Sequence, residues 1–357
     1  MTVEPFRPLV AVVTPVYNGA RNLRATMECV QAQTYSNLVH VVVDNASTDA
    51  TAQIIQSFQK AQVPVHASRN DTLLPLEKNW ESAVRKVPAE TKYFLVLCHN
   101  DLITPEAIEK LVEVAERYPT VGVVGCLWHF GTDPNRRDHL RATGLPTDRN
   151  FFDGHWALKS FLQQCHHSTS PNQQLFRRSV LDERKPFFSQ VNQYIDIEAC
   201  VATLVDHDYG FVHRALGFSR SGDGGISDSP TAAAEYVKAW LNLIETYGPA
   251  VMSVADLNET REAFLQHYYR RLLLWRLGRR DLPLYTKHKD WLAAKGLEPS
   301  IADYAMSLFL WAKEIVLNKR QLVGRSKPLC DRTWSELAGD VPAPRAPNVE
   351  PLKLKSA

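Results

Sequence analysis

The 357-residue sequence predicts an α/β fold: a doubly wound, mostly parallel sheet flanked by helices, with a helical C-terminal region. Three observations carry that prediction. Short apolar runs alternate with helical periodicities from Leu9 to Trp128. Several of these runs, Tyr93 to Leu97 among them, are continuously apolar, the pattern of strands buried on both faces of a parallel sheet. From Ser229 onward the strand pattern gives way to helical spacing.

In chain order, Leu9–Val13 is the first predicted strand, and it runs into the turn-forming Thr14-Pro15-Val16-Tyr17-Asn18-Gly19. Leu23 to Gln33 has Leu23, Met27 and Val30 on one helical face. A second strand, Leu38–Val43, ends at Asp44-Asn45-Ala46-Ser47-Thr48-Asp49, and Thr51 to Phe58 is the next helix. Val63–Ala67 is a short strand before Arg69-Asn70-Asp71, and Asn79–Val87 is a helix carrying Trp80, Ala83 and Val84. The fourth strand, Tyr93–Leu97, meets an abruptly polar end, Cys98-His99-Asn100-Asp101. Thr104-Pro105-Glu106 then reads as a helix start, with a hydroxyl cap and proline at the first helical position. A helix to Tyr118 and a strand over Val121–Trp128 follow. Further on, Gln173–Phe176 and Phe211–Arg220 read as strands, and Tyr194 to Leu204 as a helix.

Composition narrows the function classes. Apolar content of 45%, charged content of 22% and a net charge of +2 are those of an ordinary soluble globular protein and do not call for nucleic acid. The six cysteines never approach CxxC spacing and several sit in apolar runs, which fits reduced core thiols and a cytoplasmic setting. The first residues lack the pattern of a secretory signal, and no window reaches the roughly 18 consecutive apolar residues of a spanning helix, so any membrane contact is expected to be peripheral. Dinucleotide binding fails as well. The first strand-to-helix turn holds only Gly19, without GxGxxG, and GxxxxGK[ST] is missing too. A ligand must therefore be held by side chains at the carboxyl ends of the strands.

Thr14-Pro-Val-Tyr-Asn18, Val43-Asp-Asn-Ala-Ser-Thr-Asp49 and Asn100-Asp101 ahead of Pro105, in that order, resemble the motifs of family 2 glycosyltransferases of the GT-A fold. The resemblance extends to Asn79-Trp80, Leu175-Phe-Arg-Arg-Ser179, Asp196 and Arg220, and so covers roughly residues 8–225. It implies a nucleoside diphosphate sugar as donor and single-sugar transfer, with inversion, to a hydroxyl of a glycan or lipid-linked glycan in cell-surface polysaccharide synthesis. Pro15, Val16, Tyr17, Asp44 and Asn45 are then expected at the base and ribose, Lys78, Arg69, His99, Asn100 and Arg220 near the diphosphate, and Asn70 among the nucleotide-sugar contacts. Capping of the following helix is the alternative for Asp44 and Asp49, and solvent the alternative for Lys78 and Arg69.

In similar enzymes a divalent cation, Mg²⁺ or Mn²⁺, offsets the charge of the departing diphosphate. The family pattern there is Asp-x-Asp. Here Cys98 replaces the first aspartate, leaving Asn100 and Asp101 as candidate ligands, so dependence on metal is an open question. The acceptor hydroxyl needs a base. Asp196 matches the acidic residue of the family, with Glu198 as fallback, since residues two apart on a helix point in different directions. Single addition is expected over polymerisation, because Gln266-His-Tyr-Tyr-Arg-Arg271 departs from Gln-x-x-Arg-Trp.

The expected organisation is a transferase domain over residues 1–228, with a nucleotide-binding half near 8–130 and an acceptor half over 131–228. A helical region over 229–335 and a disordered tail over 336–357 follow. A glycine-rich lid is expected at Ser221–Ser227, and His155, His166 and His167 lie in the acceptor half. Helices are expected from Ser229 to Gly248-Pro249, over Glu262–Leu277 and over Ile301–Leu317. Residues 270–289 hold seven Lys or Arg and one acid, interleaved with Leu, Trp and Tyr. Either this segment lies on an anionic membrane, placing the protein at the cytoplasmic membrane face, or it packs its apolar residues on the domain. A nucleotide-sugar-binding scaffold that has lost catalysis is the alternative function, motivated by Cys98 and Asn100.

Overall fold

The computed structural model describes residues 7–134, 140–141, 143–164, 174–189, 194–222, 230–278 and 280–317. These fall into two compact units, one built from residues up to 158 with 174–222, the other from 159–164 with 230–317.

The first unit is a ten-stranded mixed sheet with helices. Its first half winds as β1 (Val10–Val16), α1 (Leu23–Gln31), β2 (Leu38–Asp44), α2 (Thr51–Ser57), β3 (Val65–Arg69), α3 (Leu76–Val84) and β4 (Tyr93–Val96). β3, β2, β1 and β4 lie side by side in parallel. Every residue of β1, β2 and β4 is buried, which is why these strands read as unbroken apolar runs. The parallel register brings their carboxyl ends to one edge, where Val16 pairs with Asp44 and Asp44 with Arg69.

The second half comprises β5 (Leu102–Ile103), α4 (Ala107–Arg117), β6 (Val121–Gly131), β7 (Leu140–Arg141), β8 (Phe151–Phe152), α5 (Gly154–Leu162), β9 (Gln174–Arg177), α6 (Val180–Glu183), α7 (Ile195–Thr203) and β10 (Asp208–Arg220). β9 inserts antiparallel between β4 and β6, and β10 continues in parallel on β6. The purely parallel winding of the first half thus stops at β4.

Thr104-Pro105-Glu106 leads directly into a helix, with Glu106 rather than Thr104 at the cap position. Leu102–Ile103 pairs with β10, and the Thr104 amide continues that ladder by donating to Leu216 O at 2.9 Å, so α4 starts only at Ala107. The Thr104 hydroxyl, buried without a hydrogen-bond partner, caps nothing.

The second unit is helical: α8 (Pro230–Val251), α9 (Val254–Leu273), a π-helical turn (Leu274–Gly278), α10 (Leu282–Ala294) and α11 (Ile301–Leu317). Gly248-Pro249 does not end α8, which runs on to Val251. Gly248 fits against Leu257, where an added Cβ would come within 2.5 Å of Cδ1, so close packing accounts for the glycine. α9 begins eight residues earlier than its periodicity indicates, because Ser253 caps it by accepting from the Asp256 amide at 3.1 Å. It also ends earlier, in the π turn.

The basic stretch 270–289 is folded into this unit. Leu272, Trp275 and Tyr285 are buried, Arg276 donates to the Tyr285 hydroxyl at 3.1 Å, and Lys287 and Lys289 pair with Glu235 and Glu298. Leu274, Leu277 and Leu282 remain exposed. Among the described residues no helix is long and apolar enough to cross a membrane.

Candidate active site

The loops after β1 and β2 interlock at the carboxyl edge of the sheet. Asn18 (φ 46°) and Ala46 (φ 58°) both sit in the left-handed region, which bends the two loops sharply. The Asn18 amide donates to Ser47 Oγ at 2.9 Å, the Gly19 amide to Thr51 Oγ1 at 2.9 Å, and the Ala20 amide to Asp49 Oδ2 at 3.0 Å. Asp49 Oδ1 also accepts from the Thr51 amide at 3.0 Å, the capping alternative for this residue. Buried Pro15 and Val16 end β1, and Tyr17 projects beside them, 42% exposed and available to stack on a planar ligand.

Asp44 is buried, and one oxygen accepts from the Ser47 amide at 2.9 Å. The other is paired with the Arg69 guanidinium, which also donates to Ser47 O at 2.7 Å. Arg69 is thereby committed to Asp44. A ribose reaching Asp44 would compete with these donors.

Asn45 is buried and held on three sides. Its Oδ1 accepts from Asn70 Nδ2 at 2.9 Å and from the Leu74 amide at 3.0 Å, and its Nδ2 donates to Leu74 O at 2.9 Å. Asn70 Nδ2 also lies 3.1 Å from Asn79 Oδ1 on α3, while Lys78, one residue earlier, faces solvent.

The polar end of β4 is the centre of the site. Thr26 on α1, fully buried, places its hydroxyl 2.9 Å from both His99 O and Asp101 O and so pins the loop. The His99 ring lies against Gly19, where a Cβ would meet His99 Cδ2 at 2.9 Å and Val16 Cγ2 at 2.5 Å. Burial lowers the ring's basicity, partly countered by Asp49, so His99 is a neutral partner there.

Asp101 is buried. Its Oδ1 accepts from the Arg220 amide at 2.9 Å, and Arg220 Nε donates to Asn100 O at 3.3 Å. Burial raises the Asp101 carboxyl to about 7, against the amide and charge of Arg220, which lower it. Half-buried Asp196, in the first turn of α7, reaches the same corner. Burial together with the Asp101 and Asp196 charges pushes the Cys98 thiol well above its ordinary range, so Cys98 is no thiolate at neutral pH. Burial likewise raises Asp196 itself, a direction suited to a proton acceptor. Glu198 points elsewhere and pairs with Arg184.

The structure therefore brings together Cys98, Asp101, Asp196 and the Arg220 backbone, with Asn100 in the same loop. His155 Nε2 lies 3.0 Å from Val205 O. His166, His167 and most of the Ser221–Ser227 stretch lie outside the described residues. Thr26 escaped the sequence reading, although a threonine inside the apolar face of a helix is a signal that something polar waits opposite.

A divalent cation here would rest on Asp101, with Asn100 contributing a neutral amide oxygen. Among the described residues no three His, Cys, Asp or Glu side chains are grouped to hold a metal. One carboxylate completed by phosphate oxygens and water is an arrangement magnesium accepts. Asp101 fits that arrangement, since one of its two oxygens is committed to Arg220 and a cation would draw its proton off.

Residues 11–184 match the family model for glycosyl transferase family 2. GlyG, a glycosyltransferase of Streptococcus pneumoniae, is 27% identical over 124 residues, 34% of this chain and 40% of GlyG. TuaG of Bacillus subtilis, a glycosyltransferase named for teichuronic acid biosynthesis, is 30% identical over 112 residues, 30% of this chain and 42% of TuaG. The chain spans between 16% and 42% of the length of these and other curated relatives. Among solved structures, S. aureus TarS 1–349 in complex with UDP-GlcNAc has a TM-score of 0.60 at 16% identity, covering 79% of each chain. The mannosyltransferase PcManGT from Pyrobaculum calidifontis, in complex with GDP-Man and Mn²⁺, has a TM-score of 0.54 at 15% identity, covering 89% of this chain and 83% of its own. At such identity these two share the fold.

Proposed function

We propose that this chain, which belongs to glycosyl transferase family 2 through residues 11–184, moves a single sugar from a nucleoside diphosphate sugar to an acceptor hydroxyl. The observation that carries the reading is the convergence of Asp196, Asp101 and the Arg220 amide at the end of β4, beside the interlocked loops after β1 and β2. In this reading Tyr17 stacks on the base, and Pro15, Val16, Asp44, Asn45 and Asn70 shape the base and ribose pocket. Arg220, His99, Asn100 and Lys78 border the diphosphate. Asp196 takes the acceptor proton, and Glu198, engaged by Arg184, is the reserve.

With Asp196 as a single base and Asp101 engaged by the Arg220 amide, the reading is inversion at the sugar carbon. A divalent cation, Mg²⁺ or Mn²⁺ on Asp101 and Asn100, supplies charge neutralisation of the diphosphate when bound. A relative named for teichuronic acid biosynthesis and one neighbour holding UDP-GlcNAc support a glycan or lipid-linked glycan acceptor in surface polysaccharide synthesis. For the helical region the reading includes contact with an anionic membrane at the cytoplasmic face, supported by exposed Leu274, Leu277 and Leu282 beside Arg280. Equal, negligible sedimentation with anionic and neutral liposomes would contradict that contact.

The test of the transferase is release of nucleoside diphosphate from UDP- and GDP-sugars with Mg²⁺ or Mn²⁺. Turnover of one donor is the expected result. Tight binding of a donor with no release points to the scaffold, the reading favoured by Cys98 and Asn100 at the cation corner.

A further inference from the structure

We propose that Glu81 on α3 is a positioning residue for Asp196, acting through a relay of charges that ends on α7; the inference rests on the transferase reading above. Both Glu81 oxygens are committed. Oε1 accepts from Arg85 Nε at 2.7 Å, and Oε2 accepts from the consecutive amides of Phe187 and Phe188 at 2.9 and 3.0 Å. Arg85 in turn donates to the carbonyl oxygens of Leu181 and, at 2.9 Å, Arg184. Together the two side chains hold both ends of the segment 181–188, the end of α6 and the loop after it. Arg184 then closes the relay by pairing with Glu198, which is 5% exposed and two residues beyond Asp196.

The relay acts where α7 needs support. The first turn of a helix is the part that opens most readily, and α7 has no side-chain capping bond at Tyr194. Asp196 sits in that turn. The Glu198–Arg184 pair ties it to the loop, and the loop is fixed against the sheet, because Phe187 packs edge-on against Phe94 of β4 at 5.6 Å and Phe188 against Trp80 of α3 at 5.4 Å. β4 is the strand that delivers Asp101. α3 also reaches the other side of the site, since Asn79 holds Asn70 and Asn70 holds Asn45. One helix thus sets the distance between the nucleotide corner and the base. Charges alternate along the relay from Glu81 to Arg85 and from Arg184 to Glu198, so neutralising the first carboxylate deprives the Arg85 guanidinium of its counter-charge and replaces the acceptor shared by the Phe187 and Phe188 amides with a weaker, uncharged one.

The experiment uses the full chain with UDP-GlcNAc and GDP-mannose as probes. Glu81→Gln keeps the side-chain volume and removes the charge. The expected result is a fall in kcat on the order of tenfold or more, the scale of a small misplacement of a reacting group, with donor KM within about twofold. In an Asp196→Asn background the same change should alter the residual turnover by less than about twofold, because a residue that acts through another has no separate effect once that residue is gone. An undiminished effect in that background, or an unchanged kcat in the single variant, overturns the relay while leaving the transferase reading intact. Unchanged turnover in Asp196→Asn alone removes the base assignment, and the relay with it. Hydrogen exchange gives a readout that needs no donor: Glu81→Gln should speed exchange in Ile195–Thr203 and leave β1 and β2 unchanged. Equal exchange in α7 of both proteins also overturns the relay.

Discussion

Asn45→Ala should destabilise the sheet unit by about 3 kcal/mol. The side chain is buried and makes three hydrogen bonds, to Asn70 Nδ2, the Leu74 amide and Leu74 O. Each such bond contributes about 1 kcal/mol net, and buried groups left unsatisfied add to the loss. With a urea slope of about 2–3 kcal/mol/M the unfolding midpoint should fall by on the order of 1 M. Asn45→Asp is the control. Its carboxylate can still accept from Asn70 and Leu74 but cannot donate to Leu74 O, so its loss should be smaller than that of alanine despite a buried charge beside Asp44. Urea titration followed by circular dichroism reads both variants. A midpoint shift under about 0.2 M for Asn45→Ala would refute the reasoning, since the corner would then be held by backbone alone.

Gly19→Ala should weaken binding of UDP-GlcNAc or GDP-mannose on the order of tenfold in calorimetry, because its Cβ meets His99 at 2.9 Å and Val16 at 2.5 Å; wild-type affinity would contradict it. The Asp101 carboxyl is raised in the folded state to about 7, so the stability its protonated form supplies is present below about pH 4 and lost as pH rises through about 7. Asp101→Asn should therefore raise the thermal midpoint relative to wild type at pH 8 and leave it nearly unchanged at pH 4, read by differential scanning calorimetry; a gap equal at both values would contradict the assignment. In the helical unit, Glu235 is buried and held below its ordinary range, against the burial that raises it, by Lys287 first and then Lys238 and His288. Its stabilisation is present above the ordinary carboxylate range and lost as pH falls through the depressed folded value, so Glu235→Gln should lower the thermal midpoint at pH 7 and converge with wild type only at pH below the ordinary carboxylate range; a gap that persists there would contradict it.

The parts of this fold that were legible in the sequence are those where local pattern and tertiary environment agree. β1, β2 and β4 are buried on both faces and had to be written in continuous apolar residues, so their order and polar ends could be read directly. The antiparallel insertion of β9 could not, because pairing order leaves no trace in the four residues Gln174–Arg177. Leu102–Ile103 is too short to show a period, so this strand, just ahead of the expected helix start at Thr104-Pro105-Glu106, had no visible pattern. Gly248-Pro249 has the composition of a helix stop, yet α8 runs through it, with Leu257 packed close against Gly248.

In the site the same division holds. Strand topology alone carries Asp101 and the loops of Asp44 and Asn45 to one edge. The partners within the site depend on side-chain direction, and sequence spacing does not encode that: Arg69 turns back onto Asp44, Thr26 reaches the β4 loop, and Glu81 reaches two amides about a hundred residues away. The basic stretch 270–289 shows the limit most plainly. Its composition left membrane contact and packing on the domain both open; Lys287 and Lys289 are paired and Trp275 and Tyr285 buried, while Leu274, Leu277 and Leu282 stay exposed.

The measurement that bears most directly on the account is the turnover of Asp196→Asn beside wild type, with donor affinity determined on the same samples. Removal of a general base predicts a fall in kcat of about 10²–10⁴-fold with donor affinity within about twofold. Turnover retained in Asp196→Asn would contradict the assignment of the base at the start of α7, and with it the reading of this corner as the reaction centre.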